Sequence, residues 1–185
     1  MKHPSNRDFF ARWNEARGKA LAPDRNAMPP ESVRHLLSDI FVLSYDPARG
    51  YPFRVAGTRV CARLGRDLKS ENFCALFEDE ARSEIEDLIG VVAEESIPTV
   101  IGLTAAAQWG EIVHAELLLL PFSARVHTPM SLTGMLAFFH DGPGTIGRFG
   151  VTSWRHLHQD ARFFGPRTLR KLEVVRGFMV YEGLR

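Results

Sequence analysis

Only two cysteines, Cys61 and Cys74, occur in the 185 residues, and neither lies in a CxxC or other paired metal spacing. That speaks against a disulfide framework or a thiolate zinc site and for free thiols in a cytoplasmic setting. Long apolar runs are missing as well. The stretch near Leu117 to Phe122 is far short of the roughly 20 residues a membrane helix needs, and nothing apolar follows Met1-Lys2-His3 that could serve as a secretory leader. Charge of one sign is also lacking: 23 Lys and Arg stand against 22 Asp and Glu, for a net +1. Neither nucleic acid nor an anionic membrane surface is suggested by that balance, and with no long apolar run no membrane insertion is expected. Seven histidines form no HExxH, and the only close pair, His156 and His158, has no third ligand near it, so no metal site is expected. Gly142 to Gly147 lacks the Lys-Ser/Thr of a phosphate loop and reads as a linker.

What the chain does have is alternation and short amphipathic segments. Ser5 can cap a first helix with Asp8 three positions on, and Phe9, Trp13, Ala16 and Ala20 then share one face. A proline-bearing connector follows. Pro30 starts a second short helix with Val33, Leu36 and Leu37 inward. "IFVLS" and "FRVAG" are strand-like, joined by a turn at Pro47 and Gly50. Thr58 can cap a brief helix in which Val60 and Leu64 stack and Gly65 supplies a left-handed stop. Ile85, Leu88, Ile89 and Val92 mark a longer helix that ends before Pro98. Three strands, "TVIGLTAAA", "EIVHAELLLLPF" and "SLTGMLAFFH", then follow as consecutive antiparallel hairpins. Strands at both ends of a helical middle give an α+β domain rather than a doubly wound parallel sheet.

That order, with "FRVAGTRVCARLGRDLKSENFCALF" after the second strand, resembles the PAS fold. Leu64-Gly65 stands where many PAS domains end this short helix, although Arg66 replaces the usual aromatic. Phe53, Arg54, Ala56, Gly57 and Thr58, then Gly65, Arg66 and Leu68, then Glu116 through Pro121 are similar to the stand-alone bacterial PAS-type regulatory proteins. The resemblance covers about residues 30–140. It implies a five-stranded antiparallel sheet with helices on one face and an N-terminal amphipathic helix. The organisation expected is a helix and connector over 1–29, the PAS-like domain over 30–140, and a basic extension over 141–185.

The resemblance implies a sensory or regulatory module in signal transduction, acting through a protein partner and as a homodimer, and not an enzyme. The cavity it places between the sheet and the short helices would be lined by Val55, Val60, Cys61, Leu64, Leu103, Leu117 and Leu119. The lining carries no evident charge for a hydrophilic ligand to meet, so it reads first as a dry core, with a cavity for a small apolar ligand as the alternative. No cofactor is expected. Flavin is disfavoured because Phe73 separates Asn72 from Cys74, so the reactive-cysteine motif of photosensory LOV relatives is not matched, and Cys74 reads as a small buried hydrophobe. Haem is disfavoured because the longer helix has no histidine.

On "EIVHAELLLL" the face opposite the core carries Ile112, His114, Glu116, Leu118 and Leu120, half of it apolar. Phe9 and Trp13 of the first helix are its natural cover, in the same subunit or across a dimer, which makes Phe9, Trp13, Ile112, Leu118 and Leu120 the candidate interaction residues. Lys and Arg outnumber Asp and Glu by 8 to 4 beyond His140, against 15 to 18 before it, so the tail could meet an acidic partner. The alternative from another class is an α+β cone enzyme of the ketosteroid isomerase or nuclear-transport-factor type. It would need Glu116 to converge with Tyr45, Tyr51 or Tyr181.

Overall fold

The structure is a computed structural model. It describes residues 1–123, 131–140, 142, 144–157, 169–175 and 178–183, with Ser131 and the last two stretches described by their backbone alone. The first helix, α1, runs over Pro4–Arg17. Strand β1 (Ile40–Ser44) and strand β2 (Phe53–Ala56) pair antiparallel around the turn at Pro47–Arg49. Helix α2 (Thr58–Leu64) and helix α3 (Asp79–Glu94) follow, then β3 (Thr99–Ala107), β4 (Ile112–Leu120), β5 (Ser131–Phe138) and β6 (Ile146–His156). The sheet order is β2-β1-β5-β4-β3-β6, with every neighbouring pair antiparallel. Strands β7 (Leu169–Val175) and β8 (Phe178–Gly183) form a separate antiparallel pair.

The sheet has six strands where five were expected, because β6 adds to the outer edge of β3. The segment read as a linker ends in the start of that strand. Gly147, Gly150 and the polar pair Thr152-Ser153 interrupt the apolar alternation that would have marked it, and a register shift opposite Gly102 and Leu103 tolerates the irregularity. The sheet therefore reaches His156, beyond the boundary expected at residue 140.

Two apolar clusters lie on opposite faces. On the inner face Phe41, Phe53, Phe73, Phe77 and Phe149 make a chain of ring contacts, with centroids 5.3–5.9 Å apart, from β1 and β2 to β6. Ile85, Leu88, Ile89 and Val92 of α3 close over Ile101, Leu117 and Leu119 of the central strands. On the outer face Phe9 and Trp13 of α1 meet Leu118, Leu120, Met135 and Val100, joined by Met28, Val33 and Leu36 from 3₁₀ turns. Each buried aromatic of α1 contributes on the order of 2–3 kcal/mol, enough to hold a helix of 14 residues on the sheet.

Helix α2 explains how so brief an element persists. Its first N–H groups are capped by backbone rather than by Thr58: Arg59 and Val60 donate to the Ser38 carbonyl at 2.9 and 3.3 Å. A Cβ at Gly57 would run into that same carbonyl, so only glycine lets the helix start this close to β1. Gly65, at φ 70°, ends it in the left-handed conformation, and its N–H returns to Ala62 and Cys61.

Candidate functional site

The residues proposed for the interior divide between the two faces. Val60, Leu64, Leu103, Leu117 and Leu119 are buried together in the inner cluster, with Cys61 half-buried at its margin. Val55 is not with them. It pairs with Val42 on the outward side of the edge strand and is 60% exposed, because a bulge at Arg54 pairs Phe53 with Leu43 and turns Phe53, not Val55, into the core. Cys74 is a buried member of the inner cluster, and burial pushes its thiol up to about 12.

On the outer face the helix is held by polar bonds as well as by its aromatic stripe. Oε2 of Glu116 accepts the Lys2 N–H at 2.6 Å, and Oε1 accepts the His3 N–H at 3.0 Å and Nδ2 of Asn6 at 3.1 Å. Asn6 also donates to the Glu116 carbonyl at 2.9 Å, while its own Oδ1 is buried with no partner. His3 caps α1: its Nδ1 accepts the Ser5 N–H at 3.2 Å and its Nε2 donates to the Phe138 carbonyl at 3.1 Å, which requires the neutral ring protonated on Nε2. Ser5, expected as the cap, is inside the first turn, because Pro4 already occupies the opening helical position. At the far end Trp13 donates to the Pro121 carbonyl at 2.8 Å.

Phe9, Trp13, Leu118 and Leu120 thus meet within one chain, but Ile112 does not join them and is 70% exposed. The helix begins over Glu116 and runs toward Pro121, so the β4 residues before His114 lie beyond its start. Phe139, 37% exposed, stands beside His3 with ring centroids 5.4 Å apart. The β1 and β2 side of the same face carries a groove of about 540 Å³, which Val55 helps to line.

A family model described as PAS domain matches residues 1–137. The chain belongs to the PAS domain family. The match takes in the first helix, where the resemblance read from the sequence starts near residue 30. PAS domains are in general sensory modules rather than enzymes. Among solved structures, the Rhodobacter sphaeroides LOV protein is 14% identical with a TM-score of 0.45, over 59% of this chain and 65% of that one, less than two thirds of its length. The blue-light photoreceptor Aureochrome1 LOV, in its light state, is 11% identical with a TM-score of 0.43, over 60% of this chain and 88% of that one. No curated protein matched the chain.

Glu116, the base a cone enzyme would need, is on the outer face and engaged by the start of α1. Tyr51 is in the inner cluster, and the hydroxyl of Tyr45 donates to the Glu94 carboxylate, a bond that lifts its phenol to about 12. The side chain of Tyr181 lies outside the described residues. Among the described residues no three His, Cys, Asp or Glu side chains gather as a metal site, and His158 is outside them. No described helix is long and apolar enough to cross a membrane.

Sequence reasoning missed Arg63 of α2, which is buried, stacks over Phe138 at 4.9 Å and donates to the carbonyl of Gly142, tying the short helix to the segment after β5. Its position one residue before the inward Leu64 was the available signal. Of the tail's cations, Arg148 pairs with Asp79 of α3 at 3.1 Å. Arg162, Arg167 and Arg176 lie outside the described residues.

Proposed function

We propose that this PAS domain is a non-enzymatic regulatory module of the bacterial cytoplasm, working through a protein partner and as a homodimer. In this reading the inner face, under α2, is where an optional apolar ligand lodges, and the outer face is where state is read. The observation that carries the reading is the incompletely covered outer face. α1 seals its middle, while Phe139 stands exposed beside His3, and Ile112, four residues before Glu116 on β4, is exposed beyond the start of the helix. A partner on this patch touches Phe139 and through it His3, the cap of α1, so docking and the seating of the helix are coupled. Exposed large apolar side chains next to a polar anchor fit a contact surface better than an idle edge.

The extension that reaches an acidic partner then begins after the sheet, at residue 158, rather than at 141. A pulldown that compares the whole chain with one ending at Leu157 tests the tail without removing β6. Equal recovery of every partner at low and at physiological salt removes the tail from the account.

The reading as a whole is tested by native mass spectrometry of the protein purified from its own cells. It predicts a dimer mass, reduced to the monomer by Ile112→Lys without loss of the fold. A monomer for the unaltered chain contradicts the homodimer, and a dimer indifferent to Ile112→Lys contradicts the patch. A retained small molecule supports the ligand, and its loss in Cys61→Phe, which fills the space under α2, places it on the inner face.

A further inference from the structure

The groove on the β1 and β2 side of the outer face is separate from both the inner cluster and the Ile112 patch. Its floor is a cross-strand row: Val55 on β2, Val42 on β1 and Thr133 on β5 stand opposite one another in register. Met28, Val33 and Phe122 form its walls. At about 540 Å³ it falls within the roughly 300–1,000 Å³ of small-molecule sites. Every residue that lines it is uncharged except Arg25.

The placement of that cation is specific. Arg25 opens the 3₁₀ turn Arg25–Ala27, which Asp24 caps by accepting the Asn26 N–H at 2.7 Å. Its Nη2 donates to Oγ1 of Thr133 at 3.1 Å, and its guanidinium lies over the Phe122 ring at 4.8 Å. Thr133, 5% exposed, is a hydroxyl set in an otherwise apolar row, and it fixes the guanidinium at the end of the floor. An apolar trough that ends in one planar, oriented cation is complementary to an unbranched apolar chain that ends in one planar anion.

We propose that this groove binds an amphipathic monocarboxylate, with its carboxylate on Arg25 and Thr133 and its alkyl chain along Val42 and Val55. This goes beyond the reading above, which places an optional ligand on the opposite face. Such a ligand would bridge the 3₁₀ turns that pack beside α1 to the edge of the sheet, and so would bear on the seat of the helix from the side away from Ile112.

Decanoate, decanol and decylamine, titrated against the full chain and followed by methyl NMR and calorimetry, test it. Decanoate should shift the methyls of Val42, Val55 and Val33 while leaving those of Leu64 and Leu117 in place. Arg25→Gln should weaken decanoate by about tenfold or more and leave decanol unchanged, since a hydrogen bond to a charged group is what it removes. Val55→Glu, at an exposed position that leaves the fold intact, should abolish decanoate binding independently. The proposal is overturned if the three probes bind alike, if Arg25→Gln has no effect, or if the shifts fall on the inner cluster. It is equally overturned if decanoate fails to bind, and groove methyls that then shift with protein concentration make a second copy the occupant.

Discussion

On the inner face of the sheet, a chain of five phenylalanine rings links strands at both of its edges, and α2, α3 and the turn at Cys74–Leu76 all add side chains to one cluster. On the outer face α1, with two 3₁₀ turns beside it, covers Leu118, Leu120 and Met135, and the helix is pinned at one end by Glu116 and at the other by Pro121. A cover made by many interlocked elements cannot open in part without disrupting the whole core. A cover made largely by one helix with polar pins can leave as a unit. The outer face is thus the part of the molecule suited to change state, and the inner face the part that holds the fold while it does so.

The largest expected effect that tests this contrast comes from the two aromatic anchors. Phe77→Ala, on the inner face, and Trp13→Ala, on the outer, should each cost about 3–5 kcal/mol in chemical denaturation. They should differ in kind: Trp13→Ala exposes apolar surface and alters the oligomeric state, whereas Phe77→Ala lowers the midpoint with the oligomer unchanged. Leu64→Ala comes next. It should cost roughly 2–5 kcal/mol if α2 roofs a dry core, and less if a cavity already lies beneath it, in which case Cys61→Phe is tolerated. Severe loss in both variants rejects a cavity.

Glu116→Ala should cost about 1–3 kcal/mol, because the Lys2 and His3 N–H groups and the Asn6 amide lose their acceptor. Proteolysis should then attack the start of α1 while the sheet stays protected. A smaller effect separates the thiols. Cys61, half-buried, should be alkylated in the native protein, whereas Cys74, buried and shifted to about 12, should react only on unfolding.

The smallest effect concerns Asp39, which is buried and whose carboxyl is raised by that burial although Arg59 lies 2.8 Å away and opposes the shift. A raised folded pKa means that the folded chain takes up this proton more readily than the unfolded one. Stability at this site therefore rises as pH falls through the folded value and is full below the ordinary one. Asp39→Asn should change stability by about 1 kcal/mol or less at neutral pH, and the difference from the unaltered chain should narrow on acidification.

Much of this contrast was legible in the chain. The α3 stripe of Ile85, Leu88, Ile89 and Val92, the αL stop at Gly65 and the anchors Phe9 and Trp13 follow from periodicity and glycine chemistry, and all are found where they were expected. Strand β6 was not, since Gly147, Gly150 and Ser153 hide an edge strand that needs few apolar contacts of its own. The caps also escaped. His3 and the Ser38 carbonyl act at positions set by tertiary contact, where local pattern favoured Ser5 and Thr58. Val55 was assigned to the interior because a one-residue change of register moves a strand residue to the other face. Arg25 and Thr133 are 108 residues apart, and only the sheet brings them together.

Native-state hydrogen exchange, resolved by segment, tests most directly whether the two faces are closed separately. The account predicts that the amides of α1 exchange through an opening at least about 1–2 kcal/mol below that of α3 and β4, and that Glu116→Ala widens the gap by lowering α1 alone. Exchange of α1 and α3 at one common free energy, moving together in Glu116→Ala, would show a single cooperative core and contradict it.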